Sequence, residues 1–85
     1  MTSFTHTIAD PLGIHARPAA LLVKTASAFR SSIVLRHGDK EISAKKMIAL
    51  MSLGLKQGDK LEIRIEGEDE EQAGKAMKKI LEEQL

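Results

Sequence analysis

The sequence predicts a two-layer α+β fold, an antiparallel sheet with one wet face and helices over the other. Three observations predict it. Ser3 to Ala9 and Lys60 to Glu66 alternate apolar and polar residues with the period of a half-buried strand. Ala16 to Phe29 and Ala73 to Leu81 repeat their apolar residues every three or four positions. The chain has 85 residues, enough for one small domain over 1–85 and too few for two self-sufficient cores. Alternating strands exclude a doubly wound parallel sheet, whose strands are apolar on both faces.

Each element follows from its residues. In the first strand Phe4, His6 and Ile8 face one side and Thr5 and Thr7 the other, until Asp10-Pro11-Leu12-Gly13 turns the chain. Pro18 stands where a first helical turn tolerates it, so a helix is expected from Ala16 to Phe29. Its inward stripe is Ala19, Leu22, Val23, Ala26 and Phe29, with Lys24 and Ser27 outward. Ser31 and Ser32 break that pattern. Ile33 to Arg36 reads as a second strand, His37-Gly38-Asp39 as a tight turn, and Lys40 to Ser43 as the strand closing a hairpin. Met47 to Leu53 forms a brief helix stopped by Gly54. In Lys60 to Glu66, Leu61, Ile63 and Ile65 point to the core. Asp69 is placed to cap the last helix, Gln72 to complete a capping box, and Glu70 and Glu71 to complement the positive helix end. Ala73, Ala76, Met77, Ile80 and Leu81 then form one inward stripe. The resulting order is β-α-β-β-α-β-α, without repeat, linker or low-complexity segment.

Composition narrows the function. Thirteen Lys plus Arg against twelve Asp plus Glu leave a charge of +1, not the one-sided balance of a nucleic-acid coat. Phe4 and Phe29 are the only aromatic residues besides histidine, so base-stacking platforms are absent. Without cysteine there is no disulfide, thiolate nucleophile or thiolate metal site, which agrees with a reducing cytoplasm. The first residues, Met1 to His6, have neither a basic nor an apolar stretch of a secretory signal, and no run approaches the ~20 residues of a membrane span. A cytoplasmic protein without membrane insertion is expected.

The stretch that carries chemistry is Gly13-Ile14-His15-Ala16-Arg17-Pro18. It puts a histidine at the mouth of a helix whose first N–H groups lack intrahelical partners. Those groups and the helix dipole favour an anion, and the Arg17 guanidinium suits phosphate oxygens. A neutral imidazole is a competent nucleophile near pH 7, so the ring could take a phosphoryl group. The motif holds no second acid, base or nucleophile beside His15, and no Gly-rich nucleotide loop occurs, so a self-contained enzyme is not expected. Pro11 to Gly38 and Ile42 to Gly58 contain no acidic residue, while the acids gather chiefly at Glu66 to Glu71. One basic pole is therefore expected, speeding encounter with acidic partners. Met47, Ile48, Leu50, Met51 and Leu53 are too many apolar residues for one thin core, so some should be exposed as a docking patch.

Gly13-Ile14-His15-Ala16-Arg17-Pro18-Ala19 and Met47-Ile48-Ala49-Leu50-Met51-Ser52-Leu53-Gly54, with their spacing, resemble the HPr family. Its members are the histidine phosphocarriers of the bacterial phosphoenolpyruvate-dependent phosphotransferase system, and the resemblance covers the whole chain. It implies an open-faced β-sandwich, four antiparallel strands under three helices. It also implies that His15 takes phosphate on Nδ1 from phosphorylated enzyme I and passes it to IIA domains of sugar permeases. Arg17 then steadies the phosphate, with the N–H groups of Ala16 and Arg17 as donors. Ala20, Lys24, Met47, Ile48 and Met51 fall where the family docks its partners. No cofactor and no metal are implied, and nothing in the pattern demands a dimer, so a monomer is expected. Two positions depart from the family. Lys46 stands where Gram-positive relatives usually carry a regulatory serine, and Leu12 where many have Ser or Asn. Leu before the Gly resembles the nitrogen-related branch, NPr, which keeps that circuit open beside sugar uptake. A phosphorylation-dependent binding module is a further alternative.

Plainer readings apply elsewhere. His6, between Phe4 and Ile8, reads as a structural histidine, and His37 as a solvent-facing turn residue. The three histidines lie in separate elements and do not read as a metal site. The Met47 to Leu53 stripe could be core alone, and Lys45 and Lys46 a solvated pair.

Overall fold

The computed structural model describes residues Met1–Leu85. Alternation in the strands decides how they lie. In β4 (Lys60–Glu66) Leu61, Ile63 and Ile65 are fully buried, while the intervening Glu62 and Arg64 lie on the opposite face with Glu41 of β3 (Lys40–Ser43). β1 (Thr2–Thr7) pairs antiparallel with one edge of β4, Phe4 opposite Ile63 and His6 opposite Leu61. β2 (Ser32–His37) pairs antiparallel with the other edge, Leu35 opposite Ile63. The sheet order is thus β1-β4-β2-β3, all neighbours antiparallel. A two-residue turn at Gly38-Asp39 joins β2 to β3, with φ +60° at Gly38 and not at Asp39, the pattern of a type II′ hairpin.

The helices α1 (Ala16–Ser27), α2 (Met47–Met51) and α3 (Glu70–Gln84) cover the apolar face. Pro18, Ala19, Leu22 and Ala26 of α1 and Ala73, Gly74, Met77 and Leu81 of α3 are buried on facing stripes. One cluster of 17 buried hydrophobic residues joins both layers. This is the expected four-stranded antiparallel sheet with three helices on one face. No helix is long and apolar enough to cross a membrane.

Three local expectations are corrected. α1 ends at Ser27, and the Phe29 N–H closes a turn onto the Ala26 carbonyl, although Phe29 still packs on the core. α2 ends at Met51, before Leu53; the chain then reverses at Gly54, φ +63°. The capping box of α3 does not form. Asp69 stands at the N-cap, but its Oδ1 accepts the Ser31 N–H at 2.9 Å and the Ser31 hydroxyl, and its Oδ2 accepts the Arg30 N–H at 2.9 Å. Ser31 is buried, and leaving its donors unpaired would cost more than one lost helix cap. The α1–β2 connection therefore claims the carboxylate.

The Ser31 hydroxyl, followed by the Arg30 N–H, lowers the Asp69 pKa from 3.8 to about 2. Because the folded value lies below the unfolded one, this carboxylate stabilises the fold fully above pH 4 and loses its effect as pH falls toward 2. Urea midpoints should therefore drop across that window in the native chain. Asp69→Asn should be less stable at pH 7 and show a flatter acid limb; an unchanged limb would refute the assignment.

Candidate functional site

The loop before α1 is held from three directions. The Gly13 N–H donates to the Asp10 carbonyl at 2.9 Å, closing a turn with Pro11 at its second position. The Leu12 N–H donates to Asp10 Oδ1 at 2.8 Å. The Ile14 N–H donates to the Leu55 carbonyl at 3.0 Å, which docks the loop on the segment after α2. Gly13 has φ +66°, and a Cβ there would stand 2.2 Å from the Leu55 oxygen, so no other residue fits this approach. From the far side, the Ala9 and Asp10 N–H groups donate to the Leu85 oxygen at 2.5 and 3.2 Å.

This loop delivers His15 to the N-cap of α1 in an extended conformation, its side chain making no cap bond. The first intrahelical bond runs from the Ala19 N–H to the His15 carbonyl. Pro18 has no N–H, and the N–H groups of Ala16 and Arg17 have no acceptor in the protein. No acidic residue lies in the first turn. Two backbone donors and the positive helix end are thus free beside an imidazole whose side chain is 38% exposed. Arg17 is exposed and enters no ion pair, so its guanidinium is available to an incoming anion. None of the surface clefts encloses His15.

One residue here escaped sequence reasoning. Asp10 Oδ2 lies 3.3 Å from His15 Nε2, so the ring does have an acidic neighbour. The Leu12 N–H first, and then the His15 contact, hold the Asp10 carboxyl below its ordinary pKa. Asp10-Pro11 read only as a turn; an Asp five residues before the histidine, across a turn closed at Gly13, was the available signal.

The residues expected to dock partners divide by exposure. Ala20 and Lys24 are exposed on α1, and Ile48 and Met51 on α2, 87% and 37% accessible. Met47 is half-buried against the core, and Leu50 and Leu53 are buried, so the apolar stripe is partly core and partly surface. Lys46 is the exposed N-cap of α2 and makes no side-chain cap bond. Lys45 is not simply solvated, because its Nζ donates to the Phe29 carbonyl at 2.7 Å.

The basic pole is also less one-sided than expected. Glu66 to Glu71 follow the end of β4 that pairs with Thr2, opposite the His15 end. However, α3 returns Glu82 and Glu83 to a cleft shared with Asp10. His6 is half-buried in β1, and its Nε2 is buried without a hydrogen-bond partner. His37 is more engaged than expected, its Nδ1 3.2 Å from the Lys60 carbonyl and its Nε2 3.5 Å from Asp59.

A family model described as "PTS HPr component phosphorylation site" matches residues 2–83. The chain belongs to the HPr family. The phosphocarrier protein HPr of Lysinibacillus sphaericus is 47% identical over 77 residues, 91% of this chain and 88% of that protein. HPr-C-His of Thermoanaerobacter tengcongensis has the same fold, with TM-score 0.93 and 43% identity over 99% of this chain and 94% of its own. An HPr dimer from the same organism superposes with TM-score 0.78 and 43% identity, covering 98% and 95% of the two chains. Membership makes this an HPr-type phosphocarrier of the phosphotransferase system, and its fold is the family's open-faced sandwich.

Proposed function

We propose that His15 accepts a phosphoryl group on Nδ1 from phosphorylated enzyme I and surrenders it to IIA domains of sugar permeases. The observation that carries this reading is the partly exposed imidazole at the mouth of α1, beside two N–H donors without acceptors and no first-turn acid. Phosphoryl transfer depends mainly on positioning and on stabilising charge over the phosphoryl oxygens. The N–H groups of Ala16 and Arg17 and the Arg17 guanidinium supply that stabilisation. Ala20, Lys24, Met47, Ile48 and Met51 form the surface that meets both partners. The open site supports a carrier worked on by other proteins' active sites, and not an enzyme with its own turnover. We read it as a monomeric cytoplasmic carrier without cofactor.

Incubation with enzyme I and phosphoenolpyruvate tests the reading. The native chain should gain one phosphate, acid-labile and alkali-stable, that His15→Ala does not acquire. Arg17→Ala should slow transfer about tenfold, less than the roughly hundredfold or more for an enclosed oxyanion donor because the side chain is solvated. An adduct surviving His15→Ala would overturn the assignment. Leu12, 74% exposed beside the site, favours a second reading, a nitrogen-type circuit. Acceptance of phosphate from nitrogen-type and not sugar-type enzyme I would select it. Lys46 offers no hydroxyl at the regulatory-serine position, so the serine switch of Gram-positive relatives is absent from this reading.

A further inference from the structure

We infer that Asp10 is a positioning residue that holds the proton on His15 Nε2 and so leaves the Nδ1 lone pair as the phosphoryl acceptor. The inference rests on the proposed role of His15 and adds the group that chooses its reacting atom. The two oxygens of the Asp10 carboxylate serve different partners. Oδ1 accepts the Leu12 N–H at 2.8 Å, and Oδ2 faces His15 Nε2 at 3.3 Å. The first bond fixes the carboxylate in the loop, which is itself pinned by Gly13 and by the Leu55 carbonyl. An ionised carboxylate only accepts hydrogen bonds, so the nitrogen facing it must carry the hydrogen. In a neutral imidazole the other nitrogen is then unprotonated and nucleophilic.

The transfer balances without further groups. The Nδ1 lone pair forms the new P–N bond as the bond from phosphorus to the donor's leaving atom breaks, and that bond's electron pair returns to the donor atom. The Nε2 proton stays where it is. The product ring, phosphorylated on Nδ1 and protonated on Nε2, is cationic and faces the Asp10 carboxylate, so the same contact supports the loaded state.

Asp10→Asn separates this role from a structural one. Asparagine has the shape of aspartate but only one acceptor oxygen. If that oxygen keeps the Leu12 N–H, the amide NH2 faces Nε2 and donates to it, which moves the ring proton to Nδ1 and blocks the acceptor. Long-range proton–nitrogen correlation spectra of the imidazole at about pH 8, above the ordinary histidine pKa, report the tautomer directly and need no phosphorylation. We expect the Nε2–H form in the native chain, the Nδ1–H form in Asp10→Asn, and a mixture in Asp10→Ala. Phosphate uptake from enzyme I should slow about tenfold in Asp10→Asn, the size of one charge-assisted hydrogen bond.

A native ring in the Nδ1–H form would overturn the inference, whether or not any variant folds. So would an Asp10→Asn chain with native tautomer and native uptake. Failure of the phosphocarrier reading shows differently: uptake would be absent or independent of His15 while the native tautomer remained measurable.

Discussion

Gly13→Ala should cost about 3 kcal/mol of stability and lower the unfolding temperature by roughly 15 °C, the largest effect of any single methyl group in the loop. Two terms add. At φ +66° an L side chain costs about 1–2 kcal/mol, because its Cβ crowds the backbone. The added carbon would also stand 2.2 Å from the Leu55 oxygen and 2.9 Å from the Lys56 Cα. Both are backbone atoms and cannot rotate away. The loop must lift, and the Ile14–Leu55 hydrogen bond goes with it. Gly54→Ala is the control: φ is +63°, yet a Cβ there meets nothing within 4 Å, so only the conformational term of about 1 kcal/mol applies. Thermal unfolding of the pair distinguishes close approach from backbone conformation. Equal losses would mean that the Leu55 contact does not matter. Because the same loop carries Asp10 and His15, Gly13→Ala should also lose phosphate uptake at temperatures where it is still folded.

Ile48→Asp should do the reverse, leaving stability within about 0.5 kcal/mol while reducing kcat/KM for phosphate uptake roughly thirtyfold. Ile48 is 87% exposed, so its removal leaves no cavity, and a carboxylate near the start of α2 is compatible with the helix dipole. In the proposed docking, however, the charge must be desolvated against an apolar surface that includes the exposed Met51, at a cost of about 2 kcal/mol. The loss belongs in KM, because Ile48 is assigned to the docking surface and not to the groups that hold the phosphoryl oxygens. An unchanged KM with enzyme I would remove Ile48 from the interface. Leu50→Ala in the same helix offers the opposite signature, reduced stability from a cavity at a fully buried position.

Strands and helices were legible because their patterns are local. Lys60 to Glu66 alternates without a fault, and the structure gives those same limits. The Gly13 to Pro18 run announced a helix mouth with a histidine in it, since Pro18 and the unpaired first N–H groups are consequences of sequence alone. Helix ends were less legible. Phe29 continues the apolar stripe of α1, yet its place is decided by packing after the helix has stopped. Asp69 followed by Gln72 satisfies the rule for a capping box, but the rule is blind to a competing donor 38 residues away at Ser31.

The sequence by itself determined the kinds and order of the elements, the half-wet sheet, and the histidine at a helix mouth whose first N–H groups lack intrahelical partners, because spacing along one chain is enough to set each of these. Only the tertiary structure decided that β4 lies between β1 and β2, that Met51 is exposed while Met47 leans on the core, and that Asp69 serves the α1–β2 connection. It also decided that Asp10 faces His15. These outcomes share one cause. A buried surface or an unpaired donor takes the partner that the folded chain brings within reach, and that choice depends on which segments meet in space.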